Sequence, residues 1–343
     1  MKRPCISVVM PNYNTPIAYL EQAVSSILNQ TYSNFEFIIV DDCSTDSSYS
    51  YLQSITDERI RLIRNNENVG VTKSLIVGFQ IAQGDYIARM DSDDISFPHR
   101  FERQLAYMQQ HPETIVCGTY VEEIGDSHRK ICRKIPDARY YQCAVLFGNE
   151  YGLIHPTAFF SAEKLRKHNI KYNPDIQTAQ DYAMWSVCCW YGEIANVEEV
   201  LLQYRVHKGQ VSSAKRQLQI DCTMYTQKKQ LMNLFPDITD KMVEMHYQYY
   251  VSKAISTQMR KWYKEIELAN NGKHYVDSAY LSQYIQEFLI KKVLIMANQT
   301  DSIPQLLKLL AHATIPERKA VLHSCIYRWK KRYLQVFSFG QKE

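Results

Sequence analysis

The sequence predicts an α/β fold: a mostly parallel sheet flanked by helices, followed by a carboxy-terminal helical region. Three observations predict it. Short β-branched apolar runs alternate with stretches of helical periodicity over the first two thirds of the chain, the pattern of a sheet covered on both faces. Two of those runs, "FEFIIV" and "YIARM", break abruptly into acid, as "DDCSTD" and "DSDD". From about residue 216 the chain becomes rich in Tyr, Lys, Leu and Gln and poor in Gly.

The elements follow in order. "CISVVM" (5–10) is compact and β-branched, a buried strand. Thr15-Pro16 fits an N-cap and first helical position, and Leu20, Val24, Ile27 and Leu28 then share one helical face. "FEFIIV" (35–40) is the second strand and the alternating "RIRLIR" (59–64) the third. Leu75, Phe79 and Ala82 mark a helix over 71–82, and "YIARM" (86–90) is the fourth strand. Pro98 opens a helix running to about Gln110, and "TIVCGTY" (114–120) is the next strand. "TAQDYAMWSVCCWYG" starts an apolar helix with Ala183, Val187 and Trp190 or Tyr191 on one face. Farther on, "YIQEFLIKKVLIM" and "AVLHSCIYRWKKRYLQVF" have helical period, with turns expected at Asn270-Asn271-Gly272 and Ser302-Ile303-Pro304.

A length of 343 residues favours two domains, placed at 1–215 and 216–343. Their charges differ. Residues 1–215 carry 21 Lys+Arg against 25 Asp+Glu, a net of −4, and residues 216–343 carry 19 against 11, a net of +8. No stretch is apolar for the length of a membrane span, and the basic start "MKRPCISVVMPNY" runs straight into a strand, so neither signal peptide nor membrane helix is expected. The nine cysteines include no CxxC pair, which fits reduced thiols in a cytoplasmic protein rather than a zinc site.

In parallel sheets, ligands bind beyond the carboxyl ends of the strands. Three polar clusters fall there: "PNYN" (11–14), Asp41-Asp42 and Asp91-Ser92-Asp93-Asp94. Carboxylates two residues apart on a loop suit one hard cation, Mg2+ or Mn2+, shared with phosphate oxygens. Asp42 can accept a hydrogen bond from a base such as uracil, and Tyr13 can stack on it. Each feature also has a structural reading. Asp91 to Asp94 fits a solvated turn, Asp41-Asp42 fits a cap for the following "STDSSYSYL" helix, Tyr13 fits a packed aromatic, and Asp181 fits a charge favoured by a helix N-terminus. His155, before Pro156, shapes a turn.

Taken together, "SVVMPNYN", "AVSSILNQTYSNFEFIIVDDCSTD", "NENVGVTKSLIVGFQIAQGDYIARMDSDD", "HPTAFF", "QDYAMW" and "YRVHKGQVSS" resemble the family 2 glycosyltransferases of the Rossmann-like GT-A fold, over roughly residues 4–215. The resemblance implies that Pro11 and Tyr13 wall the nucleobase and that Asp42 binds the base edge. Asn68 and Lys73 approach the nucleotide or diphosphate. Asp91 and Asp93 form the DxD motif, with Asp93 on the metal and Asp91 toward the ribose or metal waters. Asp181 is the general base, although Gln180 replaces the usual Glu beside it. His207 reaches the metal or diphosphate. The implied activity is inverting transfer from a nucleotide-diphosphate sugar, a UDP-sugar, to a glycan or lipid-linked acceptor hydroxyl in bacterial surface polysaccharide synthesis, with Mn2+ or Mg2+ as cofactor.

Two rivals are weighed. A sugar nucleotidyltransferase needs a glycine-rich basic loop after the first strand, and "PNYNTP" has neither Gly nor Lys. A catalytically inactive nucleotide-sugar-binding scaffold is favoured only by Gln180. The helix over 320–337 joins an apolar face (Val321, Leu322, Cys325, Ile326, Trp329, Tyr333, Val336) to Arg328, Lys330, Lys331 and Arg332. It suits peripheral contact with the inner face of an anionic membrane, at about 1 kcal/mol per basic residue, or packing on protein. No nucleic-acid partner is expected, because the aromatics lie on the apolar face.

Overall fold

β1 (Ile6–Asn12) and β2 (Phe35–Asp41) are buried at every residue in the computed structural model, as apolar strands are when a sheet is covered on both faces. The structure describes residues 5–148, 152–207, 216–299, 311 and 313–324. β1 pairs in parallel with β2 on one side and with β4 (Tyr86–Arg89) on the other. β3 (Ile60–Arg64) extends the parallel run beyond β2. The connecting helices are α1 (Ile17–Leu28), α2 (Ser48–Ser54) and α3 (Val71–Ile81).

Past β4 the sheet becomes mixed. β8 (Phe159–Ser161) is antiparallel to β4 and to β6 (Thr114–Gly125), and β6 is parallel to the long β9 (Glu193–Val206). The short β5 (Ile95–Ser96) and β7 (Lys130–Ile131) pair antiparallel with β9 and β6. The order is β3-β2-β1-β4-β8-β6-β9-β5. The expected parallel arrangement therefore describes the first four strands, and β5, β7 and β8 run against their neighbours beyond them.

Alternation along β1 divides the core between the faces. Val9 packs with Ile38, Val40, Leu75, Phe160 and Trp185. Its neighbours Val8 and Met10 pack with Leu20, Val24, Ile27 and Phe101 on the other face. α3 and α7 (Gln180–Cys188) thus cover one side, and α1 and α4 (Arg100–Gln110) the other. Short helices α5 (Ala138–Ala144) and α6 (Ala162–Lys167) complete this part, and α8 (Arg216–Leu231) follows β9.

The chain divides into two compact units, Met1–Gln230 and Leu231–Glu343. In the second, α9 (Asp240–Val251), α10 (Thr257–Lys273) and α11 (Ser278–Asn298) pack around buried His246, Trp262 and Tyr263. Trp262 Nε1 donates to His246 Nδ1 at 2.9 Å. Arg260 meets buried Glu317 through two hydrogen bonds of 2.8 Å. No helix among the described residues is long and apolar enough to cross a membrane. Val321, assigned from sequence to the apolar face of a helix suited to a membrane surface or to packing on protein, packs on Val293 and Ala297. Residues 325–337 of that segment and the expected turn at Ser302-Pro304 lie outside the described residues.

Four local expectations are corrected. Thr15 does not cap α1; its hydroxyl bonds that of Ser92 at 2.7 Å. α4 starts at Arg100, because Pro98 sits in the preceding turn. Asn270 to Gly272 stay helical, since the Asn270 amide is buried and bonds both N–H and C=O of Val276, and the helix ends at His274 in the left-handed conformation. α7 buries Tyr182, Met184, Trp185, Ser186 and Cys188, leaving Val187 and Tyr191 exposed. Its buried residues lie on several sides, so periodicity gave no polar stripe to read.

Gly84 is where three backbones meet. A Cβ there would lie 2.6 Å from Ser7 N, 2.8 Å from Tyr86 O and 2.9 Å from Ile6 C. None of these can swing aside, so Gly84→Ala is expected to cost about 1–3 kcal/mol, read as a lower urea midpoint at unchanged slope. An unaltered midpoint would contradict this packing.

Candidate active site

The register brings Asn12 level with Asp41 at one sheet edge, and there the acids of β2 find donors. Asp41, fully buried, accepts from Asn12 Nδ2 at 2.9 Å and Ser44 N at 3.0 Å, with Arg64 Nε 3.5 Å away. Asp42, 3 % exposed, accepts from Asn65 Nδ2 at 2.7 Å, Val69 N at 3.0 Å and Gly70 N at 2.7 Å. Neither Asp41 nor Asp42 caps α2, whose N-cap position is Ser47; Asp46, just before it, accepts from Ser48 N at 2.9 Å. A carboxylate offers about four acceptor positions, and the described residues fill three of Asp42's.

The loop after β1 is stapled to the loop after β2. Asn14, at φ 49°, accepts from Thr45 N at 2.8 Å, and its own N–H reaches Ser44 Oγ at 3.1 Å. This leaves Pro11 buried in β1 and Tyr13 47 % exposed, an arrangement open to stacking rather than a packed aromatic. Asn68 precedes α3 and Lys73 sits in its first turn, both exposed.

The acid loop after β4 is held from three directions. Arg89 grips Asp91 with two nitrogens, each 2.5 Å from a carboxylate oxygen. Buried Arg100 donates to the Arg89 carbonyl at 2.7 Å, and burial lowers its pKa to about 9. From β9, Arg205 N donates to Asp94 Oδ1 at 2.8 Å, Arg205 Nε to Asp93 O at 2.7 Å, and His207 Nε2 meets Asp93 Oδ2 at 3.0 Å. The Arg205 guanidinium lies 4.1 Å from the centre of the Tyr19 ring. Burial raises the Asp91 carboxyl pKa, partly offset by Arg89; burial, then the charges of Asp91 and Asp93, raise Asp94 well above the usual range. Asp91, Asp93 and Asp94 each bring an oxygen within 4.8 Å of the others, and buried Asp94 Oδ2 has no donor among the described residues. That hard, charge-crowded donor set fits Mg2+ or Mn2+.

Asp181 occupies the first turn of α7, after Ala179 in the left-handed conformation at φ 53°. Gln180 begins the helix. Four residues beyond Asp181, Trp185 packs edge-on against His155 at 5.9 Å, and His155 Nε2 meets the Tyr172 hydroxyl at 2.8 Å. Burial raises the Tyr172 pKa, Arg89 opposes it, and the Asp181 and Asp91 charges add to it. Burial also holds His155 well below its usual pKa, with Arg89 adding to the effect, so the ring is a neutral spacer.

Sequence reading passed over Arg89, Arg205 and Tyr172, and named Asp94 only as part of the acidic cluster, without a role. A cationic residue inside the apolar run "YIARM", two positions before an acid, is the one signal that pointed to Arg89. Arg205 and Tyr172 are far from the acid loop in sequence, and only the fold joins them to it.

Comparison with known proteins gives the family and the fold. The model of the family described as glycosyl transferase family 2 matches residues 7–168. An uncharacterized glycosyltransferase of Haemophilus influenzae is 36 % identical over 223 residues, covering 61 % of this chain and 68 % of its own. The putative teichuronic acid biosynthesis glycosyltransferase TuaG of Bacillus subtilis is 32 % identical over 218 residues, covering 62 % and 83 %. Among solved structures, S. aureus TarS 1-349 in complex with UDP-GlcNAc aligns at a TM-score of 0.57 and 14 % identity, covering 86 % of this chain and 91 % of that one. This last likeness is one of fold.

Asp42→Asn is expected to destabilise the protein by about 1–3 kcal/mol, because an amide nitrogen would face Gly70 N–H or the Asn65 and Val69 donors with nothing to accept them. Urea denaturation reads this directly; wild-type stability would show that the three donors do not anchor the loop.

Proposed function

The chain belongs to glycosyltransferase family 2, and we propose that it is an inverting, metal-dependent enzyme. It moves a sugar from a nucleotide-diphosphate donor, a UDP-sugar, to an acceptor hydroxyl on a glycan or lipid-linked glycan during polysaccharide assembly. The observation that carries this reading is the acid loop beyond β4, where Asp91, Asp93 and Asp94 each bring an oxygen within 4.8 Å of the others, in a chain whose residues 7–168 match the family 2 model. The UDP-GlcNAc named with TarS and the teichuronic acid named with TuaG support the donor class and the polymer setting.

In this reading Tyr13 stacks on the base, and Asp42 accepts a hydrogen bond from a base N–H. Pro11 closes the wall behind the base. Asn68 and Lys73, both exposed at the start of α3, approach the nucleotide or its diphosphate. The acid loop, with His207 against Asp93, would hold Mn2+ or Mg2+, whose charge would offset that of the departing diphosphate. Asp181 accepts the proton of the acceptor hydroxyl as that oxygen attacks the anomeric carbon. A single displacement inverts the configuration. Asp181 projects from a helix N-terminus, which favours its ionised form.

Asp181→Asn is expected to lower transfer by at least about two orders of magnitude while UDP binding persists. The assay is donor turnover and calorimetric UDP titration across UDP-, GDP- and dTDP-sugars with Mn2+. Wild-type protein that binds UDP but neither hydrolyses nor transfers from any donor would favour the scaffold reading associated with Gln180.

A further inference from the structure

Two parts of the proposed machinery lie on different elements, and one buried hydroxyl joins them. The first part is the segment from Asn65 to Lys73. Asp42 draws it in through Asn65, Val69 and Gly70, and Asn65 Nδ2 also donates to Ser74 Oγ at 2.9 Å. The start of α3 is therefore fixed to the end of β2. The second part is the loop that leads into α7 and Asp181.

That loop needs a hold. Ala179 sits in the left-handed conformation at φ 53°, which a residue with a Cβ adopts where its surroundings impose it. Asp175 N donates to Asn173 Oδ1 at 3.0 Å and Ile176 N to Asn173 O at 3.1 Å, but both bonds are local. Tyr182 and Trp185 anchor α7 in the core beyond Asp181. Ahead of Asp181, the Thr72 hydroxyl donates to the Ile176 carbonyl at 2.7 Å, across 104 residues of sequence. Among the described residues it is the one hydrogen bond between residues 174–179 and another element. Thr72 is 2 % exposed and Ile176 4 %, so loss of the hydroxyl leaves a buried carbonyl without its donor.

We propose that Thr72 is a positioning residue for the transfer reaction: its hydroxyl sets the loop that presents Asp181 against the donor-binding start of α3. One helix end then places both the donor and the general base. The proposal rests on the reading of Asp181 as that base and makes no use of the cation.

The test is a double-mutant cycle in the full chain, Thr72→Val with Asp181→Asn. It is read as UDP release from UDP-GlcNAc with Mn2+ and water as acceptor, beside calorimetric titration of UDP. Thr72→Val keeps the side-chain volume and removes the hydroxyl. It is expected to lower kcat about tenfold or more, with UDP affinity and donor KM within about twofold of wild type. Thr72→Ser, which keeps the hydroxyl, is expected to hold kcat within about threefold of wild type. In the Asp181→Asn background, Thr72→Val is expected to change kcat by less than about twofold, because its effect runs through the missing carboxylate. Wild-type kcat in Thr72→Val, a loss of UDP affinity equal to the loss of kcat, or an undiminished further loss on Asp181→Asn overturns the proposal. Should Thr72→Val not fold, Thr72→Ala replaces it, and equal kcat in Thr72→Ala and Thr72→Ser overturns it as well. Amide hydrogen exchange reads the same tie without turnover: residues 174–181 are expected to exchange faster in Thr72→Val and as wild type in Thr72→Ser, and unaltered exchange in Thr72→Val contradicts the tie. Wild-type turnover in Asp181→Asn contradicts the base reading itself and takes this assignment with it.

Discussion

A buried carboxylate survives only where donors or cations answer it, and the organisation of this site follows from that constraint. Asp41, Asp42 and Asp94 are all nearly inaccessible at the carboxyl ends of strands. Each draws a different loop inward: Asp41 the turn at Ser44, Asp42 the segment 65–70, and Asp94 the end of β9 through Arg205. The acids that mark the site in sequence are therefore also what shapes it. Arg89 and Arg100 complete the balance beneath the acid loop.

Much of this was legible in advance. Alternating apolar runs located β1 to β4, and the acids ending "FEFIIV" and "YIARM" marked the sheet edge where the site is proposed, because strand ends in a parallel sheet collect polar loops. The sequence resemblance and the family comparison agree on the class of protein. What stayed hidden has a common cause. Arg205 lies more than a hundred residues from Asp94, and Tyr172 meets His155 only because β8 and α7 converge on the sheet. Local periodicity carries no record of such contacts. The same limit misread α7, buried on several sides, and Asn270, a turn-former by type that a buried double hydrogen bond keeps helical.

The two units divide the chemistry unequally. Every residue assigned to donor, cation or base lies in Met1–Gln230. The second unit has its own core of aromatic and ion-paired contacts, including Trp262–His246 and Arg260–Glu317.

The account's central claim is that one cleft holds a cation on the acid loop and presents Asp181 to the acceptor side of the same donor. Crystals grown with UDP and Mn2+ test it most directly through the anomalous signal of manganese. The account predicts one strong peak against the 91–94 loop, with the diphosphate beside it and the uracil between Tyr13 and Asp42. A manganese peak away from that loop, or UDP bound at another edge of the sheet, would contradict it.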